Sequence, residues 1–329
     1  MAKPEDEIKA VLLHLGGNMW CDWPATPAQA ENLKKQGRAP HEKVPVNEDI
    51  WRRSTDLLVE KGMNMVVIDL GEGVAYPRRP ELAIEGSWPV EKLRAELARL
   101  RAAGLEPIPK LNFSNTHNGW LKHYRRLVST GEYYRVCEDV IRDAVEIFDS
   151  PRFLHLGYDE ETDSHQSGFD FIMVRQGELW WNDFLWFVKT AEKVGVRPWV
   201  WSDYCWHHPD YVKRCPKCVL QSNWYYDEQM EGFDIPNMKE HRALVQAFVD
   251  LEKAGFDQVP CGSNWNSGYR RKNGPKRNES MRELVPFCRK VIAPERLKGF
   301  MMASWVQCVT EGNLQTIREG VETFCAARG

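Results

Sequence analysis

Eight short apolar runs bounded by turn residues recur along the whole chain, at residues 10–15, 65–70, 105–111, 153–158, 197–201, 219–223, 258–263 and 300–305. Amphipathic segments lie between them, at 49–61, 90–103, 133–148, 178–194, 239–254, 281–291 and 314–327; only the interval around residues 211–214 makes a poor helix. Lys61-Gly62, Ala103-Gly104, Val194-Gly195 and Ala254-Gly255 each place a glycine where a helix must stop before the next strand. A strand that is apolar throughout has to be covered on both faces, and a helical crossover to a parallel neighbour does this. Eight such units close into a cylinder that has no free edge. The chain therefore reads as α/β, a single (β/α)8 TIM barrel over residues 1–329. A doubly wound dinucleotide-binding sheet would need Gly-x-Gly-x-x-Gly after its first strand, where this chain has Leu15-Gly16-Gly17-Asn18-Met19-Trp20.

Charge narrows the partners. Lys plus Arg number 44 against 47 Asp plus Glu, a net charge of -3 that offers no broad attraction to a phosphate backbone, so nucleic acid is not expected. No apolar run approaches the roughly 18–20 residues that cross a bilayer, and Met1-Ala2-Lys3-Pro4-Glu5-Asp6-Glu7 lacks the apolar core of a secretion signal. The expectation is no membrane partner and a cytoplasmic location for the chain as written, export requiring a leader ahead of Met1. Nine cysteines in irregular spacing read as reduced thiols. Cys205, His207, His208, Cys215 and Cys218 hold one Cys-x-x-Cys pair where a structural zinc site has two, so they read as a surface loop with buried thiols. No metal and no cofactor are expected.

In a barrel the chemistry sits at the C-terminal strand ends. Here those ends carry His14, Asn18, Asp69, Glu72, Lys110, Asn112, Asp159, Glu160, Trp201, Asp203, Asn223, Trp224, Tyr225, Asp227, Asn264, Trp265, Trp305 and Gln307. Carboxylates and amides pair with sugar hydroxyls while Trp stacks on the apolar face of a ring, so this palette suits a carbohydrate, and the 14 tryptophans include four at strand ends (Trp201, Trp224, Trp265, Trp305). Glycosidic cleavage needs an acid for the leaving oxygen and a group that stabilises the oxocarbenium carbon. Asp159-Glu160 after the fourth run is the best-placed source, and Val259-Pro260-Cys261-Gly262-Ser263-Asn264-Trp265 has no second carboxylate to serve as nucleophile. A substrate group, or a carboxylate from another strand, has to act instead. His117 and His155 read as hydrogen-bonded core histidines, and the basic stretch from Arg270 to Arg277 as a solvated loop.

His155-Leu156-Gly157-Tyr158-Asp159-Glu160 resembles the His-x-Gly-Gly-Asp-Glu signature of family 20 glycoside hydrolases, the β-N-acetylhexosaminidases. The resemblance continues in order: Pro107-Ile108-Pro109-Lys110-Leu111-Asn112 leading to His117 is similar to their Pro-Glu-Ile-Asp-Met-Pro-Gly-His segment, and Trp201-Ser202-Asp203 to their Trp-x-Glu. Gln221-Ser222-Asn223-Trp224-Tyr225-Tyr226-Asp227 is similar to their Ser-Pro-x-x-Tyr-Leu-Asp, and Trp305-Val306-Gln307 to a second Trp-x-Glu. It implies a retaining, exo-acting hydrolase in which the substrate's 2-acetamido oxygen attacks the anomeric carbon. Glu160 would be general acid and then base, Asp159 would orient the acetamido nitrogen, and Tyr225 would donate to the acetamido oxygen. Trp201 and Trp305 would wall the ring and Asp227 would bind outer hydroxyls; Tyr158, Trp224, Trp265, Asn112, Asp203 and Gln307, read from the strand ends, are the further candidates for sugar binding. Four departures stand out. Tyr158 replaces the second glycine and places a large ring beside the pair, Gln307 replaces a glutamate, Lys110 and Asn112 alter the third strand end, and no arginine follows the first strand in Leu13-His14-Leu15-Gly16-Gly17. These leave open a glycosidase for a sugar without the acetamido group, a barrel that binds glycans without cleaving them, and a metal-dependent sugar isomerase or lyase built on His14, Asp69, His155, Asp159, Glu160 and Asp203.

Overall fold

The computed structural model describes residues 7–24, 26–227, 230–231, 239–265 and 280–328. Eight parallel strands, β1 (Ile8–His14), β2 (Met65–Asp69), β3 (Glu106–Lys110), β4 (Phe153–His155), β5 (Arg197–Trp201), β6 (Leu220–Ser222), β7 (Cys261–Gly262) and β8 (Gly299–Ala303), run in the order β6-β5-β4-β3-β2-β1-β8-β7. Bridges Gln221↔Gln258 and Trp224↔Cys261 join the two ends of that order and close the ring. At this join Gln221 N donates to Asp257 O, Val259 N to Gln221 O, Cys261 N to Asn223 O and Tyr225 N to Cys261 O, while the Val259 carbonyl accepts from the Ser222 hydroxyl at 2.6 Å. The expected eight-stranded barrel is present, although β4 stops at His155 rather than at residue 158. Gly157 and Tyr158 both take positive φ, 70° and 77°, which turns the chain out of the sheet.

Helices cover the outside: α1 (Pro27–Lys35), α2 (Glu48–Glu60), α3 (Val90–Ala102), α4 (Gly131–Ile147), α5 (Gly177–Lys193), α6 (Tyr211–Arg214), α7 (Lys239–Lys253), α8 (Ser280–Val291) and α9 (Glu311–Arg328). Their starts are chemically marked. Asn47 accepts from the Asp49 and Ile50 amides ahead of α2, and Thr130 accepts from the Tyr133 amide ahead of α4. Gly62, Gly104, Gly195 and Gly255 take the left-handed conformation expected of helix stops, with φ from 68° to 86°. The interval around residues 211–214 holds one helical turn. An unexpected helix, α1, follows β1 and opens with the Thr26/Gln29 capping box. No helix among the described residues is long and apolar enough to cross a membrane.

Strand alternation divides the interior into two packed layers. Ala10, Leu12, Met65, Val67, Ile108, Trp199, Leu220 and Met301 fill the barrel, while Val11, Leu13, Val66, Ile68, Leu154, Leu156 and Val200 pack outward against the helices. Each such aliphatic side chain contributes about 1.5–3 kcal/mol when fully buried. The alternation continues past the strand ends, and it decides which side chains reach the mouth.

Candidate active site

At the inward positions nearest the mouth, β1, β2 and β3 present His14, Asp69 and Lys110, all buried. The Lys110 ammonium donates to Asp69 Oδ2, and His14 Nδ1 lies 3.5 Å from the same oxygen. Burial alone would raise the Asp69 pKa, yet the Lys110 charge and the His14 contact overcome it and hold the carboxyl at about 2. Glu72 is fully buried and accepts from the Gly17 and Asn18 amides at 2.6 and 3.0 Å, tying the β1 loop to the end of β2. Burial outweighs those bonds and pushes its pKa up to about 7.

After β4 the alternation sends Leu154, Leu156 and Tyr158 outward. Tyr158 does not place its ring beside the carboxylate pair as expected: the ring packs against Trp180, Phe184 and Phe187 with the Arg175 guanidinium 4.8 Å above it. Asp159 turns in and is buried, accepting from Asn112 Nδ2 at 2.8 Å. His117 Nδ1 lies 3.2 Å from Asp159 Oδ1, within ion-pair range though off the line of a hydrogen bond. Burial opposes the Asp159 charge, but His117, Lys110 and Asn112 together hold its pKa well below the usual carboxylate range. Conversely, burial disfavours the His117 imidazolium, and the Asp159 and Glu160 carboxylates outweigh it and raise the His117 pKa. Asn112, expected at the sugar, is fully buried; its Oδ1 also accepts from the Ser114 and Tyr158 amides, so it braces the turn that carries Asp159.

Glu160 sits at φ 53°. Its amide donates to Asp203 Oδ2 at 2.8 Å and its carbonyl accepts from Thr116 Oγ1 at 2.7 Å, two bonds that fix the strained backbone. The carboxylate lies between two imidazoles, His117 Nε2 at 3.6 Å from one oxygen and His165 Nε2 at 3.3 Å from the other. His165 is oriented in turn by Thr162 Oγ1, 2.7 Å from Nδ1. Asp203 is buried beside this pair, and burial followed by the Asp159 charge raises its pKa to about 7. The Glu160 side chain is 28% exposed, whereas Asp69, Glu72, Asp159 and Asp203 are all buried.

Glu160 and Asp203 open onto a cleft of about 1340 Å³ that runs over the β4, β5 and β6 ends toward α5, with Trp224, Tyr226 and Trp265 in its wall. Trp265 stands 43% exposed at the rim. Trp201 is not at the rim: it is buried in the barrel against His155 and Trp305, at ring distances of 4.6 and 5.7 Å. Trp305, at φ 54°, is half-buried beside Trp20 and donates from its indole to the Tyr226 hydroxyl at 3.0 Å.

After β6 Trp224 and Tyr226 face the barrel, and Tyr225, which also lines the cleft, is buried with its hydroxyl 3.0 Å from His241 Nδ1. Asp227 meets the same imidazole at 3.1 Å and lines the cleft. Gln307 lies away from the cleft, its Nε2 3.5 Å from the Gly17 carbonyl. His155 is a core histidine, its Nδ1 accepting from the Gly157 amide, with burial holding its pKa well below the usual value. His117 is also buried, but between the two carboxylates, a role its position in the chain did not disclose.

The isomerase-type set does not converge, since Asp69 is engaged by Lys110 and His14, and Asp203 by the Glu160 amide. Among the described residues, the one group of three His, Cys, Asp or Glu side chains close enough to share an ion is His117, Asp159 and Glu160. Cys205, His207, His208, Cys215 and Cys218 do not gather, and His208 instead stacks on Tyr204 at 3.7 Å. The stretch from Arg270 to Arg277 lies outside the described residues.

No family profile and no curated protein sequence matches the chain. Solved structures do. The chain is similar to dispersin B at 14% identity and a TM-score of 0.57, over 86% of this chain and 94% of that one. It is similar to the family 20 exo β-N-acetylglucosaminidase of Vibrio harveyi at 14% identity and a TM-score of 0.61, over 97% of this chain and 54% of that one. The family 20 β-N-acetylhexosaminidase of Streptomyces coelicolor A3(2) aligns at 12% identity and a TM-score of 0.62, over 96% of this chain and 63% of that one. The chain thus spans little more than half the length of the Vibrio enzyme. From end to end its barrel has the fold of the family 20 β-N-acetylhexosaminidases.

Proposed function

We propose that this chain is a retaining, exo-acting glycoside hydrolase whose general acid and base is Glu160. One observation carries the reading: of the neighbouring carboxylates Asp159, Glu160 and Asp203, Glu160 is the one exposed to solvent in the cleft, while Asp159 beside it stays buried and anionic. A proton donor that meets solvent and a fixed anion next to it are the two elements that glycosidic cleavage requires. Asp159, pinned by Asn112 and facing His117, would orient the amide of a 2-acetamido group, and the group's oxygen would attack the anomeric carbon. Ser263 and Asn264 after β7 offer no carboxylate to do this instead. Tyr226, on the barrel side after β6 and accepting from the Trp305 indole, would be the donor toward that oxygen in place of Tyr225, whose hydroxyl meets His241. Trp224 and Trp265 supply faces on which a sugar stacks.

The test is hydrolysis of aryl β-glycosides of GlcNAc, GalNAc, glucose and galactose by the wild type and by Glu160→Gln. At least one sugar is expected to be cleaved, with kcat lowered about 10²–10⁴-fold in the variant. Binding without turnover on every sugar would instead identify a glycan-binding barrel, and undiminished turnover by the variant would remove Glu160 from its role. An acetamido thiazoline, which mimics the cyclic intermediate, is expected to inhibit. If it fails to do so while a plain glucoside is cleaved, the acetamido mechanism falls and the hydrolase stands.

A further inference from the structure

One imidazole at the site belongs to no strand end. His165 comes from the irregular segment between β4 and α5, and that segment is braced on both sides of it. Glu161 accepts from the Arg175 amide and Nε, both at 2.8 Å, and from the Asn115 amide at 3.0 Å, while Arg175 Nη1 reaches Asp183 at 3.0 Å. Gln166, fully buried, exchanges two 2.8 Å bonds with the main chain of Met173. Further on, the Asp170 amide donates to Asp22 Oδ2 at 2.8 Å, and the Phe169 ring meets the Arg38 and Arg125 guanidiniums. Thr162 turns the imidazole: its hydroxyl accepts from the His165 amide at 3.2 Å and lies 2.7 Å from Nδ1. With Nδ1 engaged there, Nε2 is the nitrogen left to gain and lose a proton, and it stands 3.3 Å from Glu160 Oε1.

The two imidazoles on Glu160 differ in access. His117 is 4% exposed and its Nδ1 faces Asp159, whereas the His165 side chain is 45% exposed. Of the two, His165 is the one that meets solvent and the Glu160 carboxylate at once. The charged groups that face it are Glu160 and Asp159 from the β4 end and Asp203 from the β5 end, with His117 across the Glu160 carboxylate; the Glu160 contact outweighs partial burial and raises the His165 pKa above its ordinary 6.5.

We propose that His165 stores the proton that Glu160 delivers: the resting site holds a His165 imidazolium beside a Glu160 carboxylate, and the proton passes from Nε2 to Oε1 before Glu160 gives it to the leaving oxygen. The proposal rests on Glu160 being the acid and adds where its proton is kept. A lone carboxylic acid with an ordinary pKa of about 4.3 has lost its proton at neutral pH, and the pair retains one. After the first step Glu160 is again a carboxylate and His165 is neutral. Glu160 then takes one proton from the attacking water and returns it to Nε2, so in each turnover one proton enters from water and one departs with the leaving group. The 3.3 Å separation suits a bond that tightens once a sugar fills the cleft. His165 acts through Glu160 and touches no reacting atom, so it is a positioning residue.

The experiment compares wild type, His165→Gln and Glu160→Gln on phenyl and dinitrophenyl glycosides of the sugar that the wild type hydrolyses, because a dinitrophenolate leaves without a proton and a phenolate does not. The basic limb of kcat/KM on the phenyl glycoside is expected above pH 6.5 in the wild type and about one unit or more lower in His165→Gln. At pH 7.5 His165→Gln is expected to lose about tenfold more kcat/KM on the phenyl than on the dinitrophenyl glycoside. A structural role alone would move neither readout. An unmoved limb overturns the proposal, as does an equal loss on both glycosides. A leaving-group effect in Glu160→Gln alone overturns the proposal and spares the acid, whereas equal losses in Glu160→Gln overturn the acid and the proposal with it. NMR reads the pair without turnover: the His165 ring protons, identified by their loss in His165→Gln, should titrate above 6.5 in the wild type and about half a unit or more lower in Glu160→Gln. A midpoint indifferent to Glu160 overturns the pairing.

Discussion

Replacing Lys110 by Met tests the charge balance beneath the site. The Lys110 side chain is 0% exposed and Asp69 4%, so the substitution strands a carboxylate that only His14 Nδ1, 3.5 Å away, can answer. Removing one partner of a buried ion pair costs about 3–5 kcal/mol. With an unfolding entropy of about 2 cal/mol/K per residue, a chain of 329 residues loses about 1 °C in Tm for every 0.7 kcal/mol, so a drop of about 4–7 °C is expected at pH 7. The direction with pH follows from linkage. In the wild type the Asp69 pKa lies at about 2, below its ordinary 3.8, so the pair's contribution is complete above 3.8 and disappears as pH falls through about 2. Without Lys110 burial raises that pKa above 3.8, and the penalty grows as pH climbs past it. Scanning calorimetry should therefore show a wider gap between wild type and variant at pH 7 than at pH 4.5. The double variant Lys110→Met/Asp69→Leu, with no stranded charge, should recover much of the loss. A Tm unchanged at pH 7, or a double variant worse than the two single losses combined, would refute the reasoning.

Asp203→Asn should flatten the fall of Tm between pH 5 and pH 8. With a folded pKa of about 7 against an ordinary 3.8, the stability that proton binding gives the native state is complete below 3.8 and lost as pH rises toward 7, and an amide has nothing to lose. An unchanged slope would contradict the buried placement. His117→Gln should destabilise more at pH 6 than at pH 9, because a histidine whose pKa is raised in the fold contributes below its unfolded pKa and stops contributing above its folded one. NMR of the His117 ring protons should give a midpoint above 6.5, and one below it would break the assignment to Asp159. Gly157→Ala should cost more than about 2 kcal/mol by chemical denaturation, since a Cβ there meets the Asn112 side chain and the φ is 70°. A neutral result would mean that Asn112 does not brace the Asp159 turn.

The barrel is legible because apolar runs, amphipathic segments and glycine stops all fall in step, and Asp159-Glu160 because it directly follows an apolar run. The reading failed where strand parity was not carried beyond the last apolar residue. With Leu220 and Ser222 facing inward, Tyr226 turns to the barrel side while the Tyr225 hydroxyl turns to His241, and with Leu154 and Leu156 facing outward, Tyr158 belongs with the helices. The residue type of Asn112 suits a ligand of the sugar, whereas its burial against the Asp159 turn is a tertiary fact. His165, Tyr204 and His208 lie in irregular segments after β4 and β5, where no periodicity assigns a direction to a side chain. The helix α1 was missed because its apolar content is low, with Leu33 its buried residue, although the Thr26-Pro27 start and Gln29 were visible.

The closure of the ring at Ser222 has a consequence for how the molecule tolerates change. All eight joints of the cylinder are made by main-chain hydrogen bonds. At the eighth, one carbonyl is answered by a hydroxyl, itself held by the Trp199 indole at 2.7 Å. Main-chain bonds between residues 221–225 and 257–261 hold that joint as well, but a methyl in place of the hydroxyl would leave Val259 with an unanswered oxygen inside a sealed hydrophobic tube. Trp224 and Tyr226 extend from the same strand, so whatever loosens this stitch also shifts the wall against which a ligand would rest.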